Sequence, residues 1–166
     1  MTKTVTHIDC PKEWESTNDW DSHRPLLWLM TENIDGGVIE LGSGDGSTKL
    51  LKNKLGNLFV SFDNNKEWCD KTGSLLVDYN KSDITGSREN LKCIFIDTAP
   101  AETRKELIRK WVDVPILIIH DTEIGAEYVY GMNDVLSTFK YRLDYDPNGK
   151  PNTTAVSNFI DVTKWI

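Results

Sequence analysis

The chain has 166 residues, 39% of them hydrophobic and 27% charged, the balance of a soluble globular protein with one core. Its formal net charge of −7 works against charge-driven association with nucleic acid. No apolar run reaches the roughly 20 residues of a membrane span, and the N-terminus MTKTVTHIDC lacks a signal-like apolar region. The cysteines Cys10, Cys69 and Cys93 are odd in number and widely spaced, so a reduced, cytoplasmic protein without structural zinc is expected.

Residues 1–20 have little regular pattern and are expected to form an N-terminal arm. From Asp21 the pattern turns helical. Asp21 or Ser22 can cap, Pro25 sits in the first turn, and Leu26, Leu27, Leu29 and Met30 supply the apolar face. Gly36 and Gly37 close that element. Residues 36–51, GGVIELGSGDGSTKLL, then read as strand, glycine-rich turn and helix start. A second strand is expected at residues 58–62, before Asp63. A polar helix starts near Lys66, and a third strand covers residues 75–77, before Asp78.

The fourth strand covers residues 93–96 and ends at Asp97. Pro100 and Glu102 open a helix with Leu107, Ile108 and Trp111 on one face. Its Arg104, Lys105, Arg109 and Lys110 read as a solvated basic face. Residues 116–119 are all apolar, the pattern of a strand buried on both faces, and they run into His120-Asp121-Thr122-Glu123. One helix is expected from 125 to 139. The remainder reads as a β-hairpin, with arms at 141–145 and 155–162 around Pro147-Asn148-Gly149.

Strand–helix repetition predicts an α/β protein with a parallel sheet covered on both faces. Its ligands belong at the carboxyl ends of the strands. The glycine turn supports this, because its N–H groups stand free at a helix start. The dinucleotide fingerprint G-x-G-x-x-G is not what stands here. The spacing is Glu40-x-Gly42-x-Gly44-x-Gly46, with Ser43 and Asp45 between the glycines. That resembles motif I of the class I S-adenosylmethionine (SAM)-dependent methyltransferases, and Asp63, at the end of the next strand, is similar to that family's second acidic residue.

The resemblance covers nearly the whole chain from Asp21. It implies one methyltransferase-like domain over residues 1–166, a three-layer sandwich around a mostly parallel seven-stranded sheet. The strand order would be 3-2-1-4-5-7-6, with a terminal antiparallel hairpin. It also implies SAM as cofactor. Glu40 would face the amino group, and Gly42, Ser43, Gly44 and Gly46 would pass under the methionine and ribose. Asp63 would hold the ribose hydroxyls, and Asn64 and Asp78 would lie by the adenine.

Asp97, His120 and Asp121 end neighbouring strands and are the candidates for catalysis. In one version Asp97 and Asp121 hold Mg²⁺, helped by Thr122 or Glu123, and the ion acidifies an acceptor hydroxyl. The metal-dependent O-methyltransferases, which this cluster resembles, have Asn where Thr122 stands. In the other version His120 is a metal-free general base, and this version is preferred. O-methylation of a small molecule is the expected reaction. Asp97-Thr98-Ala99-Pro100 lacks the family's N-methylation signature, so a nucleic acid acceptor is not expected, nor is a membrane partner. Self-association into a homo-oligomer stays open. The alternatives are a non-catalytic SAM-binding or partner protein and a nucleotide-dependent oxidoreductase. Trp14 and Trp20 either cover the pocket or pack outside the core.

Overall fold

Why the chain layers is clearest in its central strands. β2 (Gly37–Leu41), β5 (Leu91–Ile96) and β6 (Ile116–His120) alternate their side chains between two apolar clusters. Val38, Cys93, Phe95, Ile116 and Ile118 face one cluster, with Leu26, Leu27 and Met30 of α1 (Arg24–Glu32) and Leu51 of α2 (Thr48–Leu55). Ile39, Leu41, Ile94, Ile96, Leu117 and Ile119 face the other, with Leu107 and Ile108 of α4 (Thr103–Lys110). Burial on both faces is what removes the polar alternation from these strands. The computed structural model describes residues 1–80, 84 and 90–166, with the backbone alone for 127–129.

The remaining strands are β1 (Thr2–Val5), β3 (Phe59–Asp63), β4 (Leu75–Leu76), β7 (Tyr141–Tyr145) and β8 (Thr153–Ser157). α3 (Lys66–Thr72) joins β3 to β4. The sheet has eight strands in the order β1-β7-β8-β6-β5-β2-β3-β4. Only the pairings of β8, with β6 and with β7, are antiparallel.

This departs from the expected seven strands. From β2 onward the relative order is the one anticipated, but the arm supplies an additional strand. β1 pairs in parallel with β7, from Thr2 opposite Arg142 to Val5 opposite Tyr145. The β-branched Thr2, Thr4 and Val5 suit an extended edge, and they cover backbone groups that β7 would otherwise leave open.

Other boundaries also moved. The helix expected over 125–139 is two, α5 (Ile124–Tyr130) and α6 (Asn133–Leu136), separated where Gly131 takes φ +57°. Glycine enters that left-handed region without steric penalty and stops a helix there. α1 starts after the expected caps, because both are used elsewhere. Asp21 accepts from the backbone N–H groups of Thr17 and Asn18 at 2.7 and 2.9 Å, closing the preceding turn. Ser22 turns toward β6.

Candidate functional site

The glycine loop follows from where β2 ends. Gly42 has φ +93°, and a Cβ there would lie 2.2 Å from the Asp97 carbonyl oxygen. Its N–H donates to Phe62 O at 2.9 Å, while Asp97 N–H donates to Leu41 O at 2.8 Å. The ends of β2, β3 and β5 are thus locked at one point. A Cβ on Gly44 would meet only Gly46 N, at 4.0 Å, so that side of the loop is open. Gly46 is packed tightly instead: a Cβ there would lie 2.8 Å from Trp20 O and 3.0 Å from the His23 ring.

Glu40 does not face this open side. It is fully buried and accepts hydrogen bonds from Ser47, from Thr48 at 2.7 Å and from Ser61 at 2.6 Å. Burial pushes its carboxyl up to about 7, against the pull of these hydroxyls. Gly44 N–H in turn donates to Thr48 Oγ1 at 2.9 Å. Glu40 therefore lies beneath the loop, enclosed by three hydroxyls and off the lining of the cavity where the amino group of a ligand was expected to meet it.

Asp63 ends β3 beside the loop. Its Oδ2 accepts from Ser43 N–H at 2.7 Å and Ser43 Oγ at 3.0 Å, and its Oδ1 accepts from Asn65 N–H at 2.7 Å. Asn64 donates to Ala99 O at 2.7 Å. Asp78 is exposed and accepts from Asn80 N–H at 3.0 Å.

Two cavities open on the strand ends. The first, about 550 Å³, runs along Ser43, Gly44, Asp45, Gly46 and Ser47, with Trp20, Asp21, His23, Arg24, Trp68 and Asp97 around it. The second, about 500 Å³, is lined by Asp19, Trp20, Asp97, Arg104, His120, Asp121, Glu123 and Tyr130. Trp20 and Asp97 belong to both. Trp20 is 86% exposed on their shared rim, whereas Trp14 is buried 5.7 Å from the Trp28 ring. Of the expected cofactor residues, Ser43, Gly44 and Gly46 line the first cavity, while Glu40, Gly42, Asp63, Asn64 and Asp78 do not.

Asp97, His120 and Asp121 do come together, for a reason of register. Ile96 pairs with Ile119, so Asp97 and His120 are the next residues on adjacent strands. His120 Nδ1 lies 3.4 Å from Asp97 Oδ1 and 3.5 Å from Asp121 Oδ1. Its Nε2 is 2.9 Å from Ser22 Oγ. Ser22 donates its single hydroxyl proton to Pro151 O at 2.8 Å, so toward His120 it accepts, and Nε2 is the protonated nitrogen. Burial opposes a charge on His120, but Asp97 and then Asp121 raise its pKa above the usual value. Burial likewise opposes charge on Asp97, yet His120 and Arg104 hold its carboxyl well below the usual range. His120, expected as a metal-free general base, is thus a partnered ring, 4% exposed.

Arg104 is the residue the sequence reading misplaced. It is 5% exposed rather than solvated. It donates to Asp97 Oδ1 at 2.9 Å, to Asp121 Oδ2 at 2.8 Å, to His120 O at 2.9 Å and to Thr98 O at 3.1 Å. The carboxylates expected to share Mg²⁺ are bridged by this guanidinium. Its spacing held the signal: Leu107, Ile108 and Trp111 follow it by three, four and seven positions, the stripe that faces a core. His23 was missed in the same way, standing three, four and seven before Leu26, Leu27 and Met30. Its ring lies 5.0 Å from Phe95 and 4.7 Å from His120, centroid to centroid. Burial, then His120, lowers its pKa to about 3, so it is neutral. His23, Asp97 and His120 each offer a ligand atom within 4.8 Å of the others.

No family model and no curated protein matches the chain. Solved structures do. A human methyltransferase 10 domain containing protein superposes with a TM-score of 0.54 at 10% identity, covering 92% of this chain and 89% of that one. A candidate tRNA (m1A22) methyltransferase of Streptococcus pneumoniae gives 0.50 at 12% identity, covering 83% and 74%. The chain has the Rossmann-like fold of the class I SAM-dependent methyltransferases.

Proposed function

We propose that residues 1–166 act as one methyltransferase domain, with SAM in the first cavity and the methyl acceptor in the second. The observation that carries this is the pair of cavities meeting at Asp97 and Trp20. The first, at about 550 Å³, falls within the roughly 300–1,000 Å³ of small-molecule sites. The open side of Gly44 admits a ligand against the backbone. SAM supplies an electrophilic methyl group on a sulfonium. The ionised Asp97 complements that positive charge. Arg24, on the same wall, pairs with Asp21 at 3.0 Å and would offer its remaining donors to the carboxylate of the amino acid end. Asp63 keeps lone pairs beyond its bonds to Ser43 and remains the candidate for the ribose hydroxyls, with Asn64 and Asp78 further out.

The acceptor side has four carboxylates, Asp19, Asp97, Asp121 and Glu123, against Arg104 and His120. Such a lining repels phosphate and suits a small neutral or cationic acceptor. We favour O-methylation of a small molecule. Asp97 would accept a hydrogen bond from the hydroxyl, whose oxygen would take the methyl group as the sulfur leaves as the neutral thioether. The hydroxyl proton would pass to solvent, and alignment of donor and acceptor would supply the rate. Arg104 fixes Asp97 and Asp121 in place.

Thermal shift tests the cofactor. SAM and its demethylated product should raise the melting temperature by mass action, and NAD should not. Equal stabilisation by NAD would restore the oxidoreductase alternative. A panel of radiolabelled methyl transfers should then give turnover on small hydroxylated compounds and none on tRNA. Turnover on tRNA alone would overturn the acceptor assignment, and binding without any turnover would leave a SAM-binding partner protein.

A further inference from the structure

At the boundary between the two cavities stands one residue, His23, to which the proposed methyl transfer gives no part. His23 is 1% exposed, and neither of its ring nitrogens has a hydrogen-bond partner among the described residues. An imidazole buried without a partner forgoes hydration for nothing in return. It stands where two other ligand types converge. We propose that His23, Asp97 and His120 form a binding site for a first-row transition divalent cation.

The geometry fits such an ion better than Mg²⁺. Two imidazoles and one carboxylate are the donor set of zinc and non-haem iron sites, whereas Mg²⁺ takes oxygen ligands. His120 Nδ1 and Asp97 Oδ1 are 3.4 Å apart. That is the spacing of two ligands at a tetrahedral angle on bonds of about 2.0–2.2 Å. The supporting contacts are those of a metal ligand. Ser22 accepts from His120 Nε2, and this leaves Nδ1 as the coordinating nitrogen. Arg104 orients Asp97 by donating to the same Oδ1, which keeps a further lone pair for an ion. Asp97 and Asp121 together offset the charge of Arg104 and part of the ion's charge. His23 and Asp97 line the first cavity and His120 and Asp97 the second, so open coordination positions would face both.

Co²⁺ titration of chelator-treated full-length protein tests this in the absence of SAM, so the result does not depend on the methyltransferase reading. One equivalent should bind with visible d–d bands of nitrogen and oxygen ligation and without a thiolate charge-transfer band, and Zn²⁺ should displace it. His23→Phe keeps the ring packing against Phe95 and should weaken binding at least tenfold. Asp97→Asn should do the same without a change of volume, and serves if His23→Phe folds poorly. His7→Ala should change nothing, because His7 is exposed and, among the described residues, is paired with Asp9. No binding to the wild-type protein would overturn the site. So would binding that survives both substitutions, or that is lost with His7 or carries a thiolate band.

Discussion

At the scale of single residues, Glu40 shows how a strand-end acid can brace a glycine loop, through the hydroxyls of Ser47 and Thr48. Its proton is held more tightly in the folded state, where burial puts the carboxyl at about 7, than in the unfolded chain, where it has the ordinary 4.5. Between those values the folded state carries the excess proton, so stability falls as pH rises, and the loss is complete above about pH 7. At roughly 1.4 kcal/mol per unit, the loss is about 3 kcal/mol. Urea denaturation from about pH 5 to pH 8 should show this decline in the wild-type protein and a flatter profile in Glu40→Gln. An unchanged slope in the variant would mean that Glu40 is ionised in both states. That an acid stood at this position was legible from the motif. Its direction was not, because Ser47, Thr48 and Ser61 lie 7, 8 and 21 residues away, and their joint enclosure exists only once α2 and β3 have docked. Arg104 and His23 teach the converse. Both sit on apolar helical stripes, yet polarity was read before periodicity.

At the scale of elements, the sheet couples distant loops through backbone contact. Gly42 joins the ends of β2, β3 and β5, so its substitution should act on all three. Gly42→Ala would place a Cβ 2.2 Å from the Asp97 carbonyl oxygen at φ +93°. Neither partner is a flexible side-chain tip, so the strand end must shift, at a cost of a few kcal/mol. A fall in urea midpoint with loss of SAM-induced stabilisation is expected, whereas Gly44→Ala, with open space for its Cβ, should keep near-wild-type stability. If the two variants melt alike, the lock at Gly42 is not real. The central strands were legible because burial on both faces leaves an unbroken apolar run. β1 was not, since TKTV is short and polar and gains its order only from pairing with β7, 140 positions on. The α5–α6 break at Gly131 was hidden for a related reason. A glycine inside a helical pattern is tolerated as often as it interrupts.

At the scale of the whole molecule, the strand ends gather two cavities, a buried ion-pair cluster and the glycine loop on one rim, while the net charge of −7 is spread over the chain. Among the described residues no helix is long and apolar enough to cross a membrane. The alternation of strands and helices made the parallel sheet legible, whereas the order of the strands from β2 onward was legible only through the resemblance to the methyltransferase core. The convergence of side chains on Asp97 was only half legible, since register placed His120 beside it but gave no hint of what α1 and α4 would bring. The exposed indole of Trp20 sits where both cavities meet, and that position makes it an optical reporter. A molecule entering either side strips water from the ring, so emission should move to shorter wavelength and resist iodide quenching. Trp14, already buried, should contribute a constant background. In Trp20→Phe the response to a ligand in the second cavity should vanish, leaving Trp68 to report on the first. Titrating one ligand in the presence of the other would then resolve by light alone whether the two chambers fill independently.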